Sequence, residues 1–410
     1  MSQQILTINA GSSSLKFAIF DADSMDCTAI GMIDGLGTDP NFVMKDGDGS
    51  KLLSDMLEGD HFVADHAGAL RTVLAAIAEH LPEARIVAVG HRVVHGGLVH
   101  SAPVVVDNDI LRQLADLVPL APLHQPHNLS GITAAKAAFP GVPQVACFDT
   151  AFHRAHPFVN DAFALPRALY DEGVRRYGFH GLSYEYVTGK LTEIAPDHAG
   201  DRIIICHLGS GASMCALRHG RSVASTMGFS ALDGLPMGTR PGQIDPGVLL
   251  YLMDHKGMDA QAISNLLYKE SGMKGLSGIS NDMRDLEASD DPQAKQAVDY
   301  FVSSIRREIG AMTAVLGGLD AIVFCGGIGE NSRTIRQSVL ADMEWLGIEI
   351  DREANREGAE LISSGGSLVS AFVIRTNEEL MIARHTAECL ARPTSLQNTG
   401  LTGKTPAQSY

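Results

Sequence analysis

Short apolar runs that end in glycine and small polar residues recur along this chain, and each reads as a buried strand delivering a turn. Ile5, Leu6 and Ile8 form the first. Leu15, Phe17 and Ile19, alternating with Lys16 and Ala18, form a half-buried partner strand. Between them, Asn9, Ala10, Gly11, Ser12, Ser13 and Ser14 carry no bulky side chain. Backbone N–H groups can approach a ligand there, three hydroxyls add donors, and Lys16 adds a positive charge. Two readings stay open: a phosphate cradle built on a hairpin, or an ordinary Gly/Ser hairpin. A Walker loop is excluded, because no GK[ST] opens a helix after it.

Further along, residues 39–50 (DPNFVMKDGDGS) read as a surface hairpin. Asp65 is a plausible N-cap for a helix whose apolar face carries Leu70, Val73, Leu74 and Ile77. Residues 86–89 (IVAV) form a buried strand delivering GHRVVHGG, and residues 145–148 another delivering Asp149 in FDTAFH. In open α/β sheets chemistry gathers at the carboxyl ends of strands, which singles out Arg92 and Asp149. Residues 203–208 (IIICHL) repeat the opening logic. They run into Gly209, Ser210, Gly211, Ala212 and Ser213, followed by the apolar MCAL. Strand, small turn and strand thus occur once in each half, which predicts two related lobes with a phosphate-binding hairpin apiece. Asp291-Pro292 opens a long helix through Ala297, Phe301, Ile305, Ile309 and Met312 to Gly317-Gly318. A strand over 321–324 then enters CGGIGENS, a glycine-rich loop suited to a nucleotide's phosphates or ribose, and a helical pattern runs to Leu340. A last strand near Phe372 delivers TNEE, and residues 392–410 are polar and aperiodic.

At 410 residues the chain is too long for one ordinary core, so two domains are expected. The net charge of −16 argues against a general basic surface for nucleic acid. An anionic substrate would need a local cluster of Arg, Lys and His. The six cysteines make no CxxC pair, and four sit in apolar strand-like runs, which fits buried thiols in a reducing compartment. No secretory signal opens MSQQILTINA, and no apolar run approaches the ~18 residues of a membrane span.

His91 with His95 and His100, His124 with His127, and His153 with His156 invite a metal reading. There is no HExxH and no Cys/His zinc spacing, so hydrogen-bonding structural histidines are expected. GGIGENS carries Gly327-x-Gly329 but Ser332 in place of a third glycine, which leaves hydride transfer on a nicotinamide cofactor a minor alternative. Asn9, Asp149 and Glu378 each fall at a predicted strand end, where oxygen ligands could hold Mg²⁺ directly or through water. Arg92, His180 and Arg240 lie in loop motifs, and phosphoryl transfer needs such cations around the equatorial oxygens.

Taken together, INAGSSSLK, AVGHRVVHGG, LAPLH, FDTAFH, YGFHG, HLGSGAS, MGTRPGQIDP, SNDMRDL, GGIGEN and TNEE, in this order over residues 5–390, resemble the acetate kinase family. This family belongs to the superfamily of acetate and sugar kinases, heat-shock ATPases and actin. The resemblance implies an α/β protein with a two-lobed, duplicated ribonuclease H-like (actin-like ATPase) fold and a cleft between the lobes. The N-terminal lobe would span residues 1–150, with 380–410 packing back on it, and the C-terminal nucleotide-binding lobe 151–379. It implies reversible, Mg²⁺-dependent in-line transfer of the γ-phosphoryl of ATP to acetate, giving acetyl phosphate and ADP, with Mn²⁺ a possible substitute. A cytoplasmic homodimer whose lobes close on substrate is implied as well.

By the same resemblance Asn9 and Glu378 match metal-site positions, and Lys16 a phosphate contact. Arg92 matches the arginine at the substrate, Asp149 the catalytic aspartate, and His180 and Arg240 the transition-state stabilisers. ATP would lie on His207, Leu208, Gly209, Ser210 and Gly211, on Asp282, Met283 and Arg284, and on Gly327, Ile328, Gly329, Glu330 and Asn331. Val94, Leu123 and Phe179 match the acyl pocket, beside Arg92. The chain departs from the family pattern at Ser210, where asparagine is usual, at Met283, where phenylalanine is common, and at Ala231, where a proline often lies. Gln125 and His127 stand where Asn and Pro are usual. Propionate or butyrate kinase activity is an alternative within the family. A different class is an actin- or chaperone-like ATPase without an acid substrate.

Overall fold

The computed structural model describes residues 2–11, 14–59, 62–198 and 200–392. The chain forms two compact units, one of Met1–Ala151 with the segment from Asn377, the other of Phe152–Thr376. The polar tail past Arg392 lies outside the described residues.

The first unit carries β1 (Ser2–Ala10), β2 (Ser14–Asp21), β3 (Cys27–Asp34), β4 (Asn41–Asp46), β5 (Lys51–Met56), β6 (Ala84–Val93), β7 (Val104–Val105) and β8 (Gln144–Phe148). They form one sheet in the order β5-β4-β3-β2-β1-β6-β8-β7. The second unit carries β9 (Arg202–His207), β10 (Ser213–Arg218), β11 (Arg221–Ser225), β12 (Ala321–Cys325) and β13 (Ser370–Val373), ordered β11-β10-β9-β12-β13.

A common plan underlies both sheets. β3-β2-β1 run antiparallel, and β6 and β8 continue parallel to β1. β11-β10-β9 run antiparallel, and β12 and β13 continue parallel to β9. The two strand–turn–strand segments of the sequence, β1-β2 and β9-β10, occupy the same place in each plan.

Burial explains the apolar runs. Cys147, Cys206, Cys215 and Cys325 lie buried in strands, and all six cysteines are free thiols. β2 differs from the half-buried strand expected, because Ala18 and Phe20 are buried too. The sheet is covered on both faces. On one, Leu6, Ile8, Phe17 and Ile19 meet Leu70, Val73 and Ile77 of the helix His66–His80. On the other, Ile5, Ala18, Phe20 and Ala88 meet Ala383 of the helix Glu378–Ala391. In the second unit Ile203, Ile205 and Val323 pack against Tyr184, Val187 and Leu191 of the helix Gly181–Ile194. The long helix Pro292–Leu316 buries Phe301, Ile305, Ile309 and Met312, with Asp291 capping its start by accepting from the Gln293 N–H. No helix of the described residues is long and apolar enough to cross a membrane.

Candidate active site

In the first unit, adjacent parallel strands deliver a charged cluster. Ile8 pairs with His91 and Arg92 with Cys147, so Asn9, Arg92 and Asp149 emerge together at the carboxyl ends of β1, β6 and β8. The Arg92 guanidinium donates from Nη2 to Asp149 Oδ2 at 2.6 Å and from Nε to Oδ1 at 3.2 Å, while Nη1 donates to Asn9 Oδ1 at 3.2 Å. Glu378 Oε2 lies 3.9 Å from Arg92 Nε. The Asp149 side chain is 1% exposed and that of Arg92 21%, so a buried carboxylate anchors a guanidinium that keeps one edge open. Burial opposes charge on Arg92, but Asp149 and then Glu378 outweigh it, and the net shift holds the guanidinium firmly protonated. Burial, then the Glu378 charge, pushes the Glu379 carboxyl up.

Glu378 does not end a strand as the sequence predicts. β13 stops at Val373, and Glu378 opens the helix Glu378–Ala391 because the Asn377 side chain accepts from the Leu380 N–H and caps it. Lys16 pairs in register with Asn9 and is exposed, on the same face of the β1-β2 hairpin. Ser12 and Ser13 of the expected cradle lie outside the described residues. Val94 is buried, its N–H donating to Asn128 Oδ1 at 3.0 Å, and Leu123 is half-buried. Gln125 is buried and binds the His95 N–H and carbonyl, and the His127 ring lies 4.9 Å from that of His66 in a tilted arrangement. His91 Nε2 meets Gln144 Oε1 at 2.8 Å, and burial lowers its pKa to about 4. Among the described residues no group of three or more His, Cys, Asp or Glu gathers to hold a metal ion.

In the second unit a different constellation forms around the β9-β10 turn. His180 sits at φ 59°, a left-handed conformation uncommon outside glycine, immediately before the helix Gly181–Ile194. Its Nδ1 lies 2.8 Å from Ser213 Oγ, and its ring stacks on His207 at 4.3 Å. Phe179 beside it is buried, and its carbonyl faces His153 Nε2 at 2.9 Å. His153 and His156 share Ser222 as a hydrogen-bond partner. Arg240 donates from Nη1 to the Ala231 carbonyl at 2.7 Å, and no carboxylate of the described residues pairs with it. Burial lowers its pKa, as expected of a guanidinium without a counter-charge. A Cβ on Gly211 would sit 2.9 Å from Arg240 Nη2 and 3.4 Å from His180 Nε2. Glycine is therefore what lets both side chains approach this turn.

The same turn forms one wall of a cavity of about 600 Å³, within the range of ligand pockets. Gly209 and Ser210, Asp282, Met283 and Arg284, and Gly327, Ile328 and Asn331 line it. Asp282 caps its helix by accepting from the Arg284 N–H, and the Arg284 guanidinium beside it lowers its pKa to about 2. Leu208 and Gly329 are buried, His207 is bound to Ser183, and the Glu330 carboxylate accepts from the Gly326 and Thr376 N–H groups. These four positions brace the cavity and do not line it. The glycine-rich segment is a short helix, Gly326–Asn331, where the sequence predicts an open loop, and its Ile328 and Gly329 N–H groups donate to the Leu208 carbonyl. Asn281, Glu287 and Ser332 line the cavity too, though the sequence points to none of them as a nucleotide contact. Asn281 adjoins Asp282 in the SNDMRDL motif, whereas the Ser332–Glu287 hydrogen bond of 2.7 Å joins distant segments and leaves no local signal.

The repeated sheet plan, the nucleotide-sized cavity and the two arginine constellations define the class: a kinase of the actin-like ATPase fold. The profile of the Acetokinase family matches residues 4–384. An acetate kinase of Methylocella silvestris is 58% identical over 399 residues, covering 95% of this chain and 98% of the relative. Among solved structures, a Porphyromonas gingivalis acetate kinase superimposes with a TM-score of 0.84 at 37% identity, covering 95% of this chain and all of the other. A Francisella tularensis propionate kinase gives 0.87 at 37% identity with the same coverage. The chain belongs to the acetokinase family.

Proposed function

We propose that this chain transfers the γ-phosphoryl group of ATP to acetate, reversibly, giving acetyl phosphate and ADP. One observation carries the reading. The half-buried guanidinium of Arg240 lacks a carboxylate partner among the described residues and shares Gly211 with His180 Nε2, on the turn that walls the nucleotide-sized cavity. An acetate oxygen forms the new O–P bond as the bond to the β,γ-bridging oxygen breaks, and ADP leaves with the electron pair. His180 and Arg240 address the equatorial oxygens, where such transition states spread their charge. Arg92, held by Asp149 and Asn9, takes the acid's carboxylate through its open edge. Asp149 serves as the anchor that orients this guanidinium. Val94, Leu123 and Phe179 supply apolar surface for the acyl chain, and Lys16 a phosphate contact.

Asn9 and Glu378 offer oxygen donors, which suit Mg²⁺, a cation that takes one or two protein oxygens with waters and substrate phosphates. Bound there, Mg²⁺ would neutralise charge on the β- and γ-phosphate oxygens. A homodimer is supported by the helix Pro246–Lys256, which has no buried residue although Leu250 is 59% and Tyr251 51% exposed. Six free thiols support a reducing, cytoplasmic compartment.

Trapping acyl phosphate as the hydroxamate, with ATP, Mg²⁺ and acetate, propionate or butyrate, tests the reading. Acetate should give the highest kcat/KM, with propionate a poorer substrate, since one methylene is worth about 1–3 kcal/mol in such a pocket. ATP hydrolysis at the same rate without any acid would instead place the chain with the ATPases of this fold.

A further inference from the structure

We propose that Tyr184 and Ser213 are positioning residues that fix the proton of His180 on Nε2, so that this neutral imidazole donates a hydrogen bond from that nitrogen. The proposal rests on the reading of His180 as a group that faces the transferring phosphoryl. It follows from counting protons along a short buried chain. Ser213 opens β10 opposite His207 and is fully buried. Its Oγ lies 2.8 Å from His180 Nδ1 and 2.5 Å from the Tyr184 hydroxyl. Tyr184 stands in the first turn of the helix that His180 precedes, and it too is fully buried, its ring near those of Phe152, His153 and His207.

Among the described residues, Ser213 Oγ is the one hydrogen-bond partner of the Tyr184 hydroxyl. That hydroxyl keeps its proton, since burial raises its pKa well above the ordinary value. A buried O–H without an acceptor is costly, so Tyr184 donates to Ser213. The Ser213 proton is then directed onto His180, whose Nδ1 accepts, and the ring's own proton resides on Nε2. The reverse order would have Nδ1–H donate to Ser213 and Ser213 donate to Tyr184, leaving the phenolic proton without an acceptor. Nε2 is the nitrogen that approaches Gly211 alongside Arg240 Nη2. The relay therefore presents a donor, and not a lone pair, where negative charge develops, and needs no proton transfer during the step.

Nitrogen NMR of the full-length protein with labelled histidine reads the tautomer directly, with His180→Asn assigning the signal. Wild type should show protonated Nε2 and an unprotonated, hydrogen-bonded Nδ1. Tyr184→Phe and Ser213→Ala should each populate the other tautomer. Both should lower kcat on the order of tenfold with the ATP KM unchanged, less than the 100- to 1,000-fold typical of deleting a stabilising donor outright. Ser213→Thr, which keeps the hydroxyl, should retain the wild-type pattern. Protonated Nδ1 in wild type, or a pattern unmoved by both Tyr184→Phe and Ser213→Ala, would overturn the assignment. Wild-type turnover in His180→Asn would instead reject the phosphoryl-facing reading, which the NMR pattern does not depend on.

Discussion

At the scale of single residues, two arginines have opposite surroundings, and the proposed reading gives them different tasks. Arg92 is anchored by a buried carboxylate and an amide, whereas Arg240 is half-buried and, among the described residues, donates to a carbonyl and pairs with no carboxylate. An anchored guanidinium suits holding a substrate carboxylate, and an uncompensated one suits charge that appears only in the transition state. Arg240→Ala should therefore cost on the order of 100- to 1,000-fold in kcat, with the ATP KM little changed. Steady-state kinetics within threefold of wild type would remove Arg240 from the chemistry. Asp149→Asn should keep the fold while raising the acetate KM and lowering kcat, because it releases the Arg92 edge that Asp149 grips. An unaltered acetate KM in that variant would contradict the anchoring role. Arg92 and Asp149 were legible in the sequence because each follows an apolar strand-like run, and His180 and Arg240 because each sits in a glycine-bounded loop motif. Tyr184 and Ser213 were not, because a tyrosine in a helix and a serine opening a strand look like core and turn until their contact is seen.

Elements explain why these side chains arrive where they do. β1-β2 and β9-β10 are legible in advance because apolar runs flank small turns, and the same signal reveals the repeat. Element boundaries are less so. Glu378 reads as a strand end, yet the Asn377 cap places it at a helix start. The glycine-rich loop reads as an anion cradle, yet its backbone is partly consumed within the second unit's own framework. Gly326 opens the short helix Gly326–Asn331 at φ +75°, and a Cβ there would lie 2.8 Å from the Leu208 carbonyl oxygen. Gly326→Ala should therefore destabilise by about 1–3 kcal/mol and weaken nucleotide binding. Denaturant unfolding and nucleotide titration check both effects. Wild-type values in each would show that the loop tolerates a side chain.

For the whole molecule, buried neutral histidines link stability to pH. His91 and His153 are buried, and burial lowers each pKa from 6.5 to about 4. The unfolded chain binds more protons than the folded one between these values, so stability falls as pH drops. Their contribution is fully present above pH 6.5, declines through the interval and is gone below about 4, on the order of 3 kcal/mol for each histidine. Unfolding free energies measured from pH 7 to pH 4.5 should show this slope, and His91→Gln should make it shallower. A slope identical in that variant would mean His91 does not titrate on unfolding. Self-association should depend on the exposed apolar helix, so Leu250→Glu should convert a dimer to a monomer in sedimentation experiments. Sedimentation of wild type as a monomer at micromolar concentration would remove the homodimer reading.

The most direct test of phosphoryl transfer to a carboxylate is phosphorus NMR of the purified chain with ATP, Mg²⁺ and acetate labelled with oxygen-18. Acetyl phosphate should form in step with ADP, its signal carrying the isotope shift of an oxygen contributed by acetate. Inorganic phosphate and ADP appearing at equal rates with and without acetate, and no acetyl phosphate signal, would contradict it.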